Sequence, residues 1–277
     1  MTGASGFTGK HVVSKLREIG AVPNALLAPL ENLEELDHEI GNSAPDFVIH
    51  LAGIANVAYS DNLEFYRVNV LGTTNLLDVL SRRCTGLKQV LIASSANVYG
   101  NAENSPIDED TSTSPLNHYA TSKVAMELLS RTWLGRLPIA FTRPFNYTGV
   151  GQSEAFLIPK VVGHFVRRES EISLGNLNVT REFNDVRMIA EAYVGLLQNA
   201  VIGEIYNLCS GHGHTLHEVL DLLERLTGTQ ISVKVDQALV RPNELSVLIG
   251  NPAKLNRTVS ELTQYPLENT LTWMLGL

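Results

Sequence analysis

Ser95, Tyr119 and Lys123 are the side chains of this sequence best suited to proton chemistry on a carbonyl group. Tyr119 and Lys123 stand four apart in Tyr119-Ala120-Thr121-Ser122-Lys123, so on a helix they share one face. A free phenol, with a pKa near 10, is a slow proton donor or acceptor at neutral pH. An ammonium about 4 Å away, at an effective dielectric near 20, is worth roughly 4 kcal/mol, or about three pKa units. That is enough to bring the phenol toward a working range for acid or base catalysis. Ser95, in Ser94-Ser95-Ala96-Asn97-Val98-Tyr99-Gly100, closes a strand-like run and offers a hydroxyl to hold and polarise the carbonyl. Alone, the Tyr/Lys pair would equally describe a surface helix. The serine one loop upstream is what points to chemistry.

A second constellation is Gly3-Ala4-Ser5-Gly6-Phe7-Thr8-Gly9, which spells G-x-x-G-x-x-G ahead of the amphipathic run KHVVSKLREIG. Glycines let the backbone approach a pyrophosphate, whose charge is stabilised by free N–H groups and the helix dipole. Such a loop normally follows a strand, yet only Met1 and Thr2 precede Gly3, so the first strand is expected to be truncated. An acidic residue about 20 positions on, which would hold the ribose 2′-hydroxyl of NAD, is not evident. Glu31 reads more simply as the first turn of the helix ENLEELDHEI, and NADH and NADPH stay equally open.

These residues need a scaffold, and strand-length apolar runs alternate with helix-length amphipathic segments along nearly the whole chain. PDFVIHLAG (45–53), LKQVLIASS (87–95) and LPIAFTRPF (137–145) read as buried strands ending in small or polar residues. Helices are expected around Asn62–Arg83 and from about Tyr119 to Leu134, a strand at Ile205–Cys209, and a helix over Thr215–Thr227 that opens on the capping-box pair Thr215 and Glu218. The fold class is therefore α/β: a doubly wound parallel sheet, Rossmann-like with its first strand truncated, and a smaller mixed C-terminal domain. Pro and Gly clusters at 144–151 and 241–252 suggest where the chain passes between the two.

Composition narrows the function classes. The 277 residues carry 21 basic and 29 acidic side chains, a net charge of -8 with no basic stripe, which disfavours nucleic acid as a partner. No apolar run approaches the roughly 20 residues of a membrane helix, and the N-terminus lacks a signal-like core, so a cytoplasmic protein without membrane association is expected. Cys84 and Cys209 lack metal or redox spacing and read as reduced and structural. His212, His214 and His217 have no carboxylate or cysteine placed to complete a metal shell, so no metal is expected.

TGASGFTG, HLAG at 50–53, NVLGT at 69–73, SSANVYG at 94–100 and YATSK at 119–123 resemble, in order, the extended short-chain dehydrogenase/reductase family of nucleotide-sugar enzymes. The resemblance continues through RPFNYTGVGQ (143–152), REFNDVR (181–187), YNLCSG (206–211) and RPNELSVLIGNPAKL (241–255). Within the family these later segments are most similar to the reductases of GDP-4-keto-6-deoxy-D-mannose that form GDP-D-rhamnose. The resemblance implies a dinucleotide-binding domain at 1–143 plus about 181–207, and a nucleotide-sugar domain at about 144–180 and 208–277. It implies NAD(P)H as cofactor, held by Gly3, Ser5, Gly6, Phe7, Thr8, Gly9, Leu51, Ala52, Gly53, Asn69, Tyr119, Lys123 and Pro144. It implies substrate contacts from Ser95, Asn97, Asn146, Arg181, Arg241 and Glu244, the catalytic roles of Ser95, Tyr119 and Lys123, and a homodimer. Arginines suit a buried diphosphate because their planar fork meets its oxygens in pairs.

Three other activities fit the same scaffold. A 4,6-dehydratase of this family carries a glutamate two residues after the catalytic Ser or Thr, where this chain has Asn97, an amide that cannot take a proton at neutral pH. A 4-epimerase with tightly bound NAD would share the triad. A non-catalytic nucleotide-sugar-binding protein would keep the fold, but has no need of Ser95, Tyr119 and Lys123 together.

Overall fold

The computed structural model describes residues 1–55, 61–102, 105–240 and 246–277. The glycine loop runs into α1 (Phe7–Glu18), and α2 (Leu33–Ser43) leads to the first strand, β1 (Phe47–His50). The helical stretch expected at 62–83 is one continuous rod in three parts: α3 (Asn62–Tyr66), a π turn at Arg67–Gly72 and α4 (Thr73–Arg83). The widened turn has a local cause. The hydroxyls of Thr73 and Thr74 donate to the carbonyls of Asn69 and Val70, four residues back, in competition with the helix ladder.

Strand β2 (Gln89–Ala93) precedes a single 3-10 turn at Ala96–Tyr99, and α5 (His118–Ser130) follows. Asn117 caps α5 by accepting from the Ala120 N–H, which places Tyr119 in the first turn and Lys123 one turn later. β3 (Ile139–Pro144) and the short β4 (Tyr147–Thr148) lead to α6 (Leu157–Val166), β5 (Glu171–Leu174), β6 (Thr180–Arg181) and β7 (Asn184–Asp185). Then come α7 (Val186–Asn199), β8 (Ile205–Leu208), β9 (His214–Thr215) and α8 (Leu216–Thr227), whose Thr215/Glu218 capping box is formed as the spacing requires. β10 (Ser232–Val235), β11 (Val247–Leu248), α9 (Ala253–Thr258) and α10 (Leu267–Leu275) complete the chain.

The central sheet is parallel throughout, in the order β1-β2-β3-β8. Beside β1 the chain start adds a single parallel bridge: Thr2 pairs with His50 and donates to the Ile49 carbonyl at 3.1 Å, while Leu26 donates to the Met1 carbonyl. A cavity of about 550 Å³, lined by Leu16, Ile19, Val22, Leu26, Val48 and Ile49 among others, runs beside the rest of β1.

Both faces of the sheet are covered, which makes it doubly wound. One core joins α1 and α7 to Ile49, Leu91 and Leu208; the other joins α2, α4 and α5 to Val48, Val90, Ile92 and Phe141. On α4, Leu76, Leu77, Val79 and Leu80 are all sealed from solvent, each worth about 1.5–3 kcal/mol of burial. A separate apolar core unites α6, β5, α8 and α10. A small cluster of Val98, Tyr99, Ile107, Phe145, Cys209 and Leu248 connects the two regions at the C-terminal ends of the sheet strands, where an α/β sheet offers its ligand crevice.

Candidate active site

A cleft of about 370 Å³ opens at those strand ends, and the glycine loop forms one wall. Gly3 has φ +65, and a Cβ there would lie 2.8 Å from the Ala52 nitrogen. At Gly9 a Cβ would fall on the Gly3 carbonyl oxygen, so the turn closes only with glycine. No side chain caps α1 at Gly6, so the N–H groups of its first turn are left to an incoming anion. This cradle fits a pyrophosphate.

Across the cleft stand Ser95, Tyr119 and Lys123. Ser95 Oγ accepts the Asn97 N–H at 3.2 Å and lies beside the Tyr119 phenol. Lys123 Nζ donates to the Ala93 carbonyl at 2.8 Å. The electrostatics differ from the simple pair expected from spacing. Burial pushes the Tyr119 phenol up to about 12, with the neighbouring Ser95 hydroxyl pulling it down and nearby Tyr147 adding to the rise. Burial also lowers Lys123 to about 8, with Glu127 opposing. Burial disfavours the charged form of each group, which raises the phenol and lowers the ammonium. The phenol is consequently held as a protonated acid at neutral pH.

A line of buried hydrogen bonds ties the glycine loop to this helix. The Thr73 hydroxyl donates to the Asn69 carbonyl at 2.7 Å, so it accepts from His50 Nε2 at 2.8 Å. His50 Nδ1 then accepts from the Thr2 hydroxyl at 2.7 Å, and that oxygen accepts the Ala52 N–H at 3.0 Å. Asn69 holds the Ile54 N–H through Oδ1 and donates to Ser122 Oγ, which donates to the Tyr119 carbonyl.

Burial, together with the charges of Lys123 and the chain N-terminus, lowers His50 to about 3. Its folded pKa lies below the unfolded value near 6.5. The unfolded chain therefore takes the extra proton, and stability falls as pH drops from about 6.5 toward 3. Between pH 7 and 5 the expected loss is about 2 kcal/mol. Urea titrations at the two pH values should show the wild type losing that much more than His50→Gln; equal losses would mean that His50 is not the group excluded from protonation.

Of the residues singled out in the sequence, Gly3, Gly6, Phe7, Thr8, Gly9, Leu51, Gly53, Ser95, Asn97, Tyr119, Lys123, Pro144 and Asn146 line the cleft together. Ser5, Ala52, Asn69 and Arg181 do not form its wall. Ser5 is exposed, Asn69 is spent on the buried line just described, and buried Arg181 donates to the Thr180 carbonyl from β6. Arg241 and Glu244 lie outside the described residues. In the acidic run 108–110, Glu109 accepts the Asn207 N–H at 2.8 Å.

Sequence reasoning missed Tyr147 and Tyr193. Tyr147 stacks on Phe7 with ring centroids 6.1 Å apart and is hydrogen-bonded to Thr8 Oγ1 at 2.7 Å. Tyr193 is paired with Thr142 at 3.0 Å. The first follows directly on Asn146 in RPFNYTG and was open to notice; the second has no local signal on α7.

Residues 1–209 match the model of the NAD dependent epimerase/dehydratase family. The chain belongs to this family. Among characterised members, GDP-6-deoxy-D-talose 4-dehydrogenase of Aggregatibacter actinomycetemcomitans is 33% identical over 261 residues, covering 92% of this chain and 88% of the relative. GDP-6-deoxy-D-mannose reductase of Pseudomonas aeruginosa is 32% identical over 292 residues, covering 100% of this chain and 95% of the relative. The structure of RMD from Pseudomonas aeruginosa complexed with NADPH superimposes with a TM-score of 0.88 at 32% identity, over 99% of this chain and 96% of that one. As an NAD dependent epimerase/dehydratase family enzyme, the protein takes a nicotinamide dinucleotide, NAD or NADP, as cofactor.

Proposed function

We propose that the protein reduces the 4-keto group of a GDP-6-deoxyhexose, converting GDP-4-keto-6-deoxy-D-mannose to GDP-D-rhamnose, with Ser95, Tyr119 and Lys123 as its catalytic residues. The observation that carries this reading is that Ser95, Tyr119 and Lys123 line the same cleft as the glycine cradle: a phenol beside a hydroxyl that can hold the ketone oxygen can give its proton as that oxygen becomes an alkoxide. Ser95 holds and polarises that oxygen. Lys123, cationic at neutral pH with its value near 8, stabilises the charge left on the phenol. When bound, the reduced nicotinamide supplies the hydride. The residues that would hold the dinucleotide are the glycine cradle of Gly3, Gly6 and Gly9 with Thr8, the loop Leu51–Gly53, Lys123 and Pro144. Asn97, Asn146, Arg181, Arg241 and Glu244 are the residues proposed for the nucleotide sugar.

Two full-length relatives named for GDP-6-deoxyhexose oxidoreduction support this substrate class. The separate core of α6, β5, α8 and α10 supports a distinct sugar-nucleotide domain, although Leu255, Val259, Leu262 and Tyr265 pack back onto the sheet-side core. A cytoplasmic homodimer belongs to the same reading. Among the described residues no helix is long and apolar enough to cross a membrane. Exposed Leu63, Leu71, Leu116 and Leu128 offer apolar surface for a second copy.

The test is incubation with GDP-4-keto-6-deoxy-D-mannose and NADH or NADPH, with NMR of the product. GDP-D-rhamnose is expected, with oxidation of one cofactor per sugar. GDP-6-deoxy-D-talose would overturn the stereochemical assignment, and a 4-inverted hexose formed without added cofactor would make the protein an epimerase. With GDP-mannose alone no 4-keto product is expected, because Asn97 stands where a dehydratase needs its carboxylate.

A further inference from the structure

Glu182 is a fully buried carboxylate to which the proposed reaction gives no task. It lies between β6 and β7 and gathers donors from two other segments. Oε1 accepts the Gly250 N–H at 2.6 Å; Oε2 accepts the Ser210 N–H at 2.7 Å and the Ser210 hydroxyl at 3.2 Å. Burial pushes the carboxyl above its usual range while these donors pull it back, as expected of a charge kept in the interior by hydrogen bonds.

The segments so joined meet at the cleft. Leu248 lines it and stands in register with Arg181 in the β11·β6 pair. Two residues on, a Cβ at Gly250 would lie 2.7 Å from the Phe145 ring and 2.8 Å from Cys209 Sγ, so the backbone there is seated directly on both. Ser246 accepts the Thr180 N–H at 2.8 Å, and the segment leads out of residues 241–245. None of these contacts involves the glycine loop or Lys123.

We propose that Glu182 is a positioning residue for the nucleotide-sugar side of the cleft: its carboxylate pins residues 246–251 as a wall that the substrate, and not the dinucleotide, leans on. The inference rests on the reading of the cleft as a nucleotide-sugar site. Glu182→Gln keeps the shape but turns an amide N–H₂ toward backbone N–H donors, which no rotamer avoids, since both oxygens are in use.

The expected result is a KM for GDP-4-keto-6-deoxy-D-mannose raised about 10- to 100-fold, the scale of one charge-assisted hydrogen bond, with kcat and the KM for NAD(P)H within about threefold of wild type. Cys209 provides a readout that needs no turnover. It is 2% exposed beneath Gly250. In a Cys84→Ser background, the Cys209 thiol of Glu182→Gln should react at least about tenfold faster with a disulfide reagent than that of the unaltered Glu182 protein, well below the melting temperature, and added GDP should slow it. Ser210→Ala, which removes one donor and leaves the backbone bonds, should move both readouts the same way by less, and it answers the question should Glu182→Gln not fold.

Unchanged Cys209 labelling in both variants would overturn the proposal. So would a rise in the KM for NAD(P)H in step with that for the sugar, the mark of general loosening. A wild type inactive on GDP-4-keto-6-deoxy-D-mannose would defeat the substrate reading instead, while the labelling rates still decide whether Glu182 pins the segment.

Discussion

Tyr119→Phe should bind NAD(P)H as the wild type does and turn over less than about a hundredth as fast. General acid catalysis is typically worth 10²–10⁴-fold, and the phenolic proton is needed only as charge develops on the substrate oxygen, so the loss falls on kcat. The ring itself is not held by its hydroxyl. It is 6% exposed, packs 5.9 Å from Phe65, and rides on a helix whose Tyr119 carbonyl is fixed by Ser122. Phenylalanine can therefore occupy the same place. Steady-state kinetics with a fluorescence titration of cofactor binding decide the matter: more than about a hundredth of wild-type kcat, or weakened cofactor binding, would remove Tyr119 from the acid's role.

The second large effect concerns stability. Arg143 on β3 meets Glu127 on α5 in a two-pronged pair at 2.9 and 2.7 Å, with both side chains 5% exposed. The guanidinium lies 4.7 Å over the Tyr99 ring, and its Nη1 finds no acceptor among the described residues. Glu127→Ala would leave this cation buried and unpaired, and breaking a buried pair from one side costs about 3–5 kcal/mol. Replacing both partners together, as in Glu127→Leu with Arg143→Met, should cost far less, because no charge is then stranded. Urea unfolding of the two variants makes the comparison, and equal losses would show that packing, not charge, sets the cost. Lys123 also feels Glu127 as the charge that raises its pKa, so in Glu127→Ala the lysine should drop further below 8 and the alkaline fall in activity should begin at lower pH.

Much of this site was legible because its signals are local. The i, i+4 pair on α5, the glycine spacing before α1 and the strands read at 87–95 and 137–145, which the structure trims to Gln89–Ala93 and Ile139–Pro144, follow from spacings and periodicities that any sequence exposes. What escaped depends on partners far along the chain. Asn69 was singled out from the sequence for the cofactor, but its buried task, holding the Ile54 N–H and donating to Ser122, depends on residues 15 and 53 positions away. Tyr193 and Glu182 take their meaning from residues 51 and 68 positions away, Thr142 and Gly250. The setting of the phenol was hidden for a related reason: the four-residue spacing of Tyr119 and Lys123 says nothing of the depth of the cleft, and burial raises the one and lowers the other.

The Thr8–Tyr147 hydrogen bond and the Phe7–Tyr147 stack have a consequence for protein engineering. Residues 139 positions apart form one unit of exchange. A chimera that imports the phosphate loop of a relative, in order to alter cofactor preference, breaks the far wall of the cleft unless residue 147 travels with it. Loop grafts in this chain have to be cut around the pair, and libraries that vary positions 7 and 8 gain more from varying 147 in the same clones than from sampling the neighbouring helix.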